Sequence, residues 1–316
     1  MKPMRVGIVG CGRMGKERAR CASALGAAVA LVHDADPERA AELAVAQPGC
    51  IVTANALAVV RARLDAVFIC TPPSSRGPVE MEAIARGVPF FVEKPVGVSA
   101  QQVAPIREAL RSTSLVHAVG YMNRVRKSVE HARRILQNRQ ILALSGYWVG
   151  RKYLVPWWLR SEDSGGPVNE QATHLIDLSR FLCGEIANIH VKAGAILEQN
   201  NSPLSAAFQI TFKSGALGSL FYSCEAKDKQ IALRVITPEG GIDLMGWDLR
   251  LTSNSVDGSG IYDSPEDIFL TETARFLDAV SANSIDGVAC TFEDAWHTQL
   301  LVDSFRSVNI EGREER

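Results

Sequence analysis

The sequence predicts an α/β fold in two parts, opened by a parallel sheet wound with helices. Three observations predict it. The chain has 316 residues of ordinary globular composition, 47% hydrophobic and 22% charged, which is enough for two domains. Its first third alternates short apolar runs with helical segments. Those runs give way to glycine, proline or acidic residues, as buried parallel strands do where they enter a loop.

Composition removes several function classes. A formal net charge of −1 gives no electrostatic drive toward nucleic acid or an anionic membrane. The seven cysteines are odd in number, scattered and free of any CxxC, so they read as reduced buried thiols. No histidine, cysteine or carboxylate cluster has metal-ligand spacing, and no metal is expected. The opening MKPMRVGIVGCG lacks the order of a signal peptide. No apolar run approaches the roughly 20 residues of a membrane span. A soluble, cytoplasmic protein is the expectation.

Residues Arg5–Val9 (RVGIV) read as a strand buried on both faces, and GCGRMG follows, placing Gly10, Gly12 and Gly15 in G-x-G-x-x-G spacing. The helical segment KERARCASALG, stopped by Gly26, leads to a second strand, AVALVHDAD. That glycine spacing alone is common. With a strand before it, a helix after it and an acid ending the next strand, it is the fingerprint of a dinucleotide-binding Rossmann domain. Asp34 stands 24 residues past Gly10, where a ribose-binding carboxylate is expected after about 20. Its plainer alternative is a residue that merely begins a turn. Asp36 reads as the cap of a helix opened by Pro37. A carboxylate at Asp34 repels a 2′-phosphate and no arginine follows immediately, so NAD is expected over NADP, although Arg39 could fold back.

The array continues through LDAVFICTPPSS (Leu64–Ser75), VPFFVEKPVG (Val88–Gly97) and SLVHAVGYMNR (Ser114–Arg124). The first domain then closes, giving residues 1–122 and a second domain over 123–316. Thr71 and Pro72 at one strand end, and Glu93 and Lys94 at the next, occupy the carboxyl ends where ligands collect. Lys94, directly after PFFV, sits at the rim of the crevice rather than on a solvated helix face. His117, inside SLVHAV, reads as core.

In the second part, GGPVNEQATHLIDLSRFLCGE (Gly165–Glu185) carries a helical pattern with Glu170, His174 and Asp177 at spacings of four and three. On one α-helix these share a face, either as a solvated stripe or as a proton carrier with its neighbours. Trp157, Trp158 and Arg160 precede it, with Lys152 and Tyr153 further upstream, as pocket walls or as a packed loop. Arg124, Arg126, Lys127, Arg133 and Arg134 read as a solvated helix face.

GCGRMG, HDAD, TPPSS, EKPVG, GYMNR and GGPVNEQATH, in this order, resemble the glucose–fructose oxidoreductase / inositol dehydrogenase / MocA (Gfo/Idh/MocA) family. The resemblance covers nearly the whole chain, including FLTETARFLDAV and FEDAWHTQLLVDSF. It implies an N-terminal Rossmann domain and a C-terminal α/β domain with a large, mostly antiparallel sheet, whose outer face commonly forms dimers or tetramers. The strand candidates LSAAFQITF, ALGSLFYSCEA and QIALRVITPEGGIDL agree, and NIEGREER reads as a polar tail. The resemblance assigns Gly10, Gly12, Arg13, Met14 and Gly15 to the pyrophosphate turn, and Asp34 to the ribose. Thr71 and Pro72 line the crevice, and Glu93, Lys94 and Asn123 lie toward the nicotinamide. Lys94 and His174 form the catalytic pair, while Glu170, Asp177, Trp157, Arg160 and Tyr153 fall toward the substrate. The chain departs from the family at Glu170, where aspartate is usual, and at Arg76, where histidine often follows TPPSS. The activity implied is hydride transfer between nicotinamide and a ring secondary alcohol or ketone of a sugar, cyclitol or polyol. The alternatives are an NAD-dependent glycosidase working by transient oxidation and elimination, and a non-catalytic NAD-binding sensor.

Overall fold

In the computed structural model, which describes residues 2–194, 196–197, 202–255 and 258–307, the glycine-marked array of strands and helices forms as the sequence reading expects. Six parallel strands build the first sheet: β1 (Arg5–Val9), β2 (Ala28–His33), β3 (Ile51–Val52), β4 (Ala66–Ile69), β5 (Phe90–Val92) and β6 (His117–Val119). Their order is β3-β2-β1-β4-β5-β6, and the direction of winding reverses between β1 and β4. Ligands of such sheets gather at that reversal, beyond the carboxyl ends of the strands. Helices α1 (Arg13–Ala24), α2 (Pro37–Val45), α3 (Ala56–Arg61), α4 (Pro78–Arg86) and α5 (Ala100–Arg111) connect the strands. The Asp36 side chain caps α2 by accepting the Glu38 N–H at 3.0 Å, as its place before Pro37 suggests.

The chain divides into two compact units, and the division differs from the sequence reading in one respect. The first unit is Met1–Met122 together with Asp267–Trp296, a stretch the sequence reading left in the second domain. The reason is apolar packing. In the helix Ile268–Ala282, Phe276 sets its ring edge-on to Phe68 and Phe91, with centroids 5.4 and 5.6 Å apart. The β6 residue Val119 also donates its N–H to the Cys290 carbonyl at 2.9 Å.

The second unit is Asn123–Glu266 with the chain from His297 onward. It contains α6 (Lys127–Leu136), β7 (Ala143–Arg151), the short α7 (Ser161–Ser164), a π-helical turn (Val168–Ala172) and α8 (Thr173–Cys183). The strands that follow are β8 (Ile186–Ala193), β9 (Ile196–Leu197), β10 (Ser202–Pro203), β11 (Ser205–Phe212), β12 (Leu217–Ser223), β13 (Glu225–Thr237), β14 (Gly240–Met245), β15 (Arg250–Ser255) and β16 (Gly258–Tyr262). The helix over Ile268–Ala282 is α9, and α10 (Phe292–Asp303) runs from residues of the first unit into residues of the second.

Eight strands form the large sheet, in the order β16-β15-β14-β13-β7-β12-β11-β8. Every pairing in it is antiparallel except β7 with β12. Alternation sends Leu144, Trp148, Leu220, Tyr222, Ile231 and Leu233 inward to a core that includes Leu175, Ile176 and Leu178 of α8. The outward positions include Leu217, Phe221, Ile236, Met245 and Ile261, all exposed. Among the described residues, no helix is long and apolar enough to cross a membrane. The NIEGREER segment lies outside the described residues.

Candidate active site

In the first unit, β1 delivers the chain into a turn that only glycine can make. Gly10 has φ +93°, and a Cβ there would lie 2.7 Å from the Cys70 carbonyl carbon. A Cβ on Gly15 would meet the Gly10 oxygen at 1.9 Å, so helix α1 sits directly on the turn. Gly12 has nothing within 4 Å of a Cβ position, leaving open space above the amino end of α1. No side chain caps that end, and no acidic residue stands in its first turn. Free N–H groups, the positive end of the helix dipole and open space form the cradle a pyrophosphate needs. Arg13 is exposed and Met14 half-buried beside it.

Asp34 closes the same turn. Its two carboxylate oxygens accept the Cys11 N–H at 2.6 Å and the Asp36 N–H at 2.8 Å. A carboxylate has about four acceptor positions, so acceptors remain for ribose hydroxyls. Arg39 is ion-paired to Asp36 at 3.1 Å, and the Asp34 carboxylate repels a 2′-phosphate, which favours NAD. Burial, reinforced by neighbouring Asp34, pushes the Cys11 thiol up to about 12, so it stays uncharged beside the turn.

At the end of β5, Glu93 is buried, and its carboxylate faces inward to Arg18 of α1 rather than outward to a ligand. Arg18 is fully buried. It donates to Glu93 at 2.8 Å, to Glu272 of α9 at 2.5 Å and to the Thr273 hydroxyl at 3.1 Å. Burial opposes the guanidinium charge, but Glu93 and Glu272 overcome it and hold Arg18 above its ordinary value. Arg76 holds the same residue by its backbone, donating to the Glu93 carbonyl at 2.7 Å and to the Thr71 hydroxyl at 2.9 Å. Lys94, half-buried, follows immediately and is joined to Pro95 by a cis peptide bond. Pro72 is half-buried at the head of the short turn Pro73–Ser75. Among the described residues Glu17, Cys21 and Asp267 also lie close together as possible metal ligands. The Arg20 guanidinium already occupies that group, bonding Glu17 at 2.6 Å and Asp267 at 2.5 Å.

In the second unit, Gly165 and Gly166, both with positive φ, turn the chain into Pro167 and the π-helical turn. That wider turn alters the single helical face expected for Glu170, His174 and Asp177. Glu170 and His174 share one network through Gln171 and Trp148, while Asp177 is held by other groups. Glu170 is buried, accepting the Trp158 indole N–H at 2.6 Å and the Gln171 amide N–H. His174 is buried and stacks on Trp148, with centroids 4.9 Å apart and planes 11° from parallel. The Trp148 indole in turn donates to the Gln171 amide oxygen at 3.2 Å. Asp177 is held by Arg124, whose Nε and NH2 bond its two oxygens at 2.9 and 2.5 Å, and by the Thr298 hydroxyl at 3.2 Å.

Arg124 and Arg126 are therefore buried, not part of a solvated helix face, because the chain there is a 3₁₀ turn (Met122–Val125) tucked against α8 by ion pairing. Lys127, Arg133 and Arg134 are exposed as expected. Asn123 is buried, its amide oxygen accepting from Arg126 at 3.0 Å. Trp157 is half-buried, and Arg160 is exposed and paired to Asp163 at 2.5 Å, which makes it a local loop contact. Tyr153 stands edge-on to the buried Trp158 at 5.2 Å. A cavity of about 220 Å³ opens beside this cluster, lined by Trp148, Tyr153, Gln171 and Tyr222 among others. Arg18, Trp148, Gln171 and Tyr222 had no place in the sequence reading. A signal existed for Arg18, which shares a helical face with Gly15, Ala19 and Ala22, all buried.

The chain is similar to known proteins over most of its length. The profile of an oxidoreductase family with an NAD-binding Rossmann fold matches residues 4–121, and that of the GFO/IDH/MocA C-terminal domain matches residues 139–243. Inositol 2-dehydrogenase 4 of Saccharopolyspora erythraea is 28% identical over 306 residues, covering 91% of this chain and 88% of that protein. UDP-N-acetylglucosamine 3-dehydrogenase of Acidithiobacillus ferrooxidans is 26% identical over 304 residues, covering 90% and 92%. Its solved structure shares the fold at a TM-score of 0.83, with 23% identity over 97% of each chain. Levoglucosan dehydrogenase, solved in complex with NADH and levoglucosan, has a TM-score of 0.84 and 20% identity over 96% of each chain.

Proposed function

The chain belongs to the Gfo/Idh/MocA family of NAD-binding oxidoreductases, and on that footing we propose that it is a dehydrogenase of a ring secondary alcohol on a sugar, cyclitol or related polyol. The relatives named for inositol and for a nucleotide sugar support that substrate class. The observation that carries the reading is His174, a buried imidazole held flat against Trp148, whose ring also walls the polar and aromatic cavity.

Gly10, Gly12, Gly15 and the amino end of α1 would hold the pyrophosphate of NAD, and Asp34 its ribose. Bound NAD supplies the hydride acceptor. The chain's own residues handle the rest. His174 takes the proton of the reacting hydroxyl, because imidazole titrates near neutrality. Lys94 supplies fixed positive charge for the oxygen that becomes a carbonyl. Arg18 and Arg76 fix Glu93, and with it the backbone from which Lys94 projects. The exposed apolar row Leu217, Phe221, Met245 and Ile261 on the outer sheet face supports self-association through that face. A cytoplasmic location completes the reading, supported by seven cysteines that are all free thiols.

The test is NADH absorbance across a panel of inositols, sugars and their keto forms. Lys94→Ala and His174→Ala should each lower turnover by about 10²- to 10⁴-fold while NAD binding survives. Full turnover in both variants overturns the assignment of the pair. Redox-neutral cleavage of a glycoside without net NADH overturns the dehydrogenase reading in favour of a hydrolase. NAD binding without turnover on the whole panel points to a sensor.

A further inference from the structure

Strand register places Tyr222 of β12 directly beside Trp148 of β7, and both side chains point inward. Trp148 is the residue that stacks on His174, and Tyr222 lines the same cavity of about 220 Å³. Gln171, three residues before His174, and Tyr153 share the wall with the charged side chains of Arg151, Asp228 and Lys229. Tyr222 is only 1% exposed. Its hydroxyl has no oxygen or nitrogen hydrogen-bond partner among the described residues, and the Cys224 thiol lies within hydrogen-bonding reach. That thiol is a poor partner, and the other polar neighbours are the Glu170 carboxylate and the Tyr153 hydroxyl. Trp158 and Gln171 already donate to Glu170.

A buried hydroxyl left unpaired is costly, and native structures contain few of them without a reason. A phenylalanine here would fill the same space without that cost. The hydroxyl therefore has a use that the protein alone does not display. Burial raises its pKa, so it stays a neutral O–H group, able to donate one hydrogen bond and accept others. A ring polyol presents the matching chemistry, hydroxyls that donate and accept at fixed angles around a carbon ring.

We propose that Tyr222 is a specificity-determining residue whose hydroxyl pairs with one ring hydroxyl of the substrate in the cavity walled by Trp148, the residue that stacks on His174. The proposal rests on the dehydrogenase reading, in which His174 takes the proton from a neighbouring ring position. The paired hydroxyl is not the one oxidised. Tyr222 thus selects among polyols that all carry a reactive alcohol but differ in the hydroxyls around it.

Tyr222→Phe tests this, because it removes one oxygen and leaves the ring in place. The measurements are kcat/KM for NADH formation with myo-inositol, glucose and the single deoxy analogues of each, together with the thermal midpoint. For the best substrate, the variant should lose about tenfold in kcat/KM. Wild type should suffer a similar loss on one deoxy analogue, and the variant should lose nothing further on that analogue. The thermal midpoint should hold or rise, since a buried unpaired group has gone. A lower midpoint with an unchanged substrate profile would overturn the proposal and leave Tyr222 a packing residue. So would an equal loss on every analogue. Absence of NADH from wild type on the whole panel overturns the underlying dehydrogenase reading instead, and the proposal with it.

Discussion

The surroundings of Lys94 in the first unit and of His174 in the second are built on opposite principles. Around Lys94 the polar groups are ionic and matched by the protein itself: Arg18 bridges Glu93 and Glu272, and Arg76 binds the Glu93 carbonyl. Around His174 the hydrogen bonds run through aromatic and amide groups, with Trp148, Gln171, Glu170 and Trp158 linked in a chain, Lys229 lying over the Trp148 ring and the Tyr222 hydroxyl left over. On the proposed function the first region serves a cofactor, which is the same molecule in every turnover, so internal ion pairs can lock it. A substrate must be chosen, and selection needs groups that are incomplete until the right partner arrives. The contrast predicts that damage to the first region appears chiefly as lost stability, and damage to the second chiefly as altered specificity.

The sharpest way to break that contrast is Arg18→Met. The substitution keeps an elongated side chain but leaves Glu93 and Glu272 buried without their cation. Breaking a buried ion pair on one side costs about 3–5 kcal/mol, and urea denaturation should show that loss in the first unit. The ranking of substrates should stay the same in whatever fraction remains folded. A shifted substrate ranking with unchanged stability would mean that the ionic network serves selection, and the contrast would fail.

Glu170 probes the boundary between the two principles, because it is a carboxylate within the aromatic and amide network. Glu170→Ala leaves the Trp158 indole and a Gln171 amide hydrogen buried without their acceptor. The expected cost is about 1–3 kcal/mol, smaller than for Arg18 because both donors are neutral. Gln171 also accepts from Trp148, so loosening it should disturb the indole against which His174 is stacked. A fall in kcat larger than the rise in KM is therefore expected in steady-state NADH assays. Unchanged kcat together with the stability loss would confine Glu170 to packing.

What the sequence made legible follows the same division. Glycine spacing, apolar runs without alternation and an acid at the right distance are local signals, and they marked the Rossmann sheet, its turn at Gly10 and its Asp34. Alternation likewise marked β11 and β12, which pair in the large sheet. Partners distant in sequence left no such trace. Asp177 and Arg124 are 53 residues apart, and Arg18 and Glu272 are 254 apart. Asp177 consequently reads as a residue that orients the imidazole or binds substrate hydroxyls, and Arg124 as a surface charge, with nothing local to show that the two pair in the interior. The π-helical turn leaves no trace in the sequence because its residues have ordinary helical propensity. Tyr222 held an inward position in the alternating run LGSLFYS, but only the strand register shows which cavity it faces.

The smallest expected effect concerns His117, read as core and found buried, with its ring stacked on Phe90 at a centroid distance of 5.9 Å. Its Nδ1 lies 2.8 Å from the Leu115 carbonyl, an arrangement that suits a neutral ring donating from that nitrogen. Burial pushes its pKa below the ordinary histidine value, against the weaker raising effect of that hydrogen bond. The unfolded chain then takes up a proton near pH 6.5 while the folded chain resists it until the pH is lower. Stability from this group is complete above about pH 6.5 and declines as the pH falls below it, by at most about 1.4 kcal/mol per pH unit. His117→Asn retains a donor for the Leu115 carbonyl and removes the titration. The gap between its urea midpoints at pH 7 and pH 5 should be narrower than in the parent protein. An identical acid slope in both would assign the loss of stability to other groups and show that His117 takes up its proton without opening the sheet.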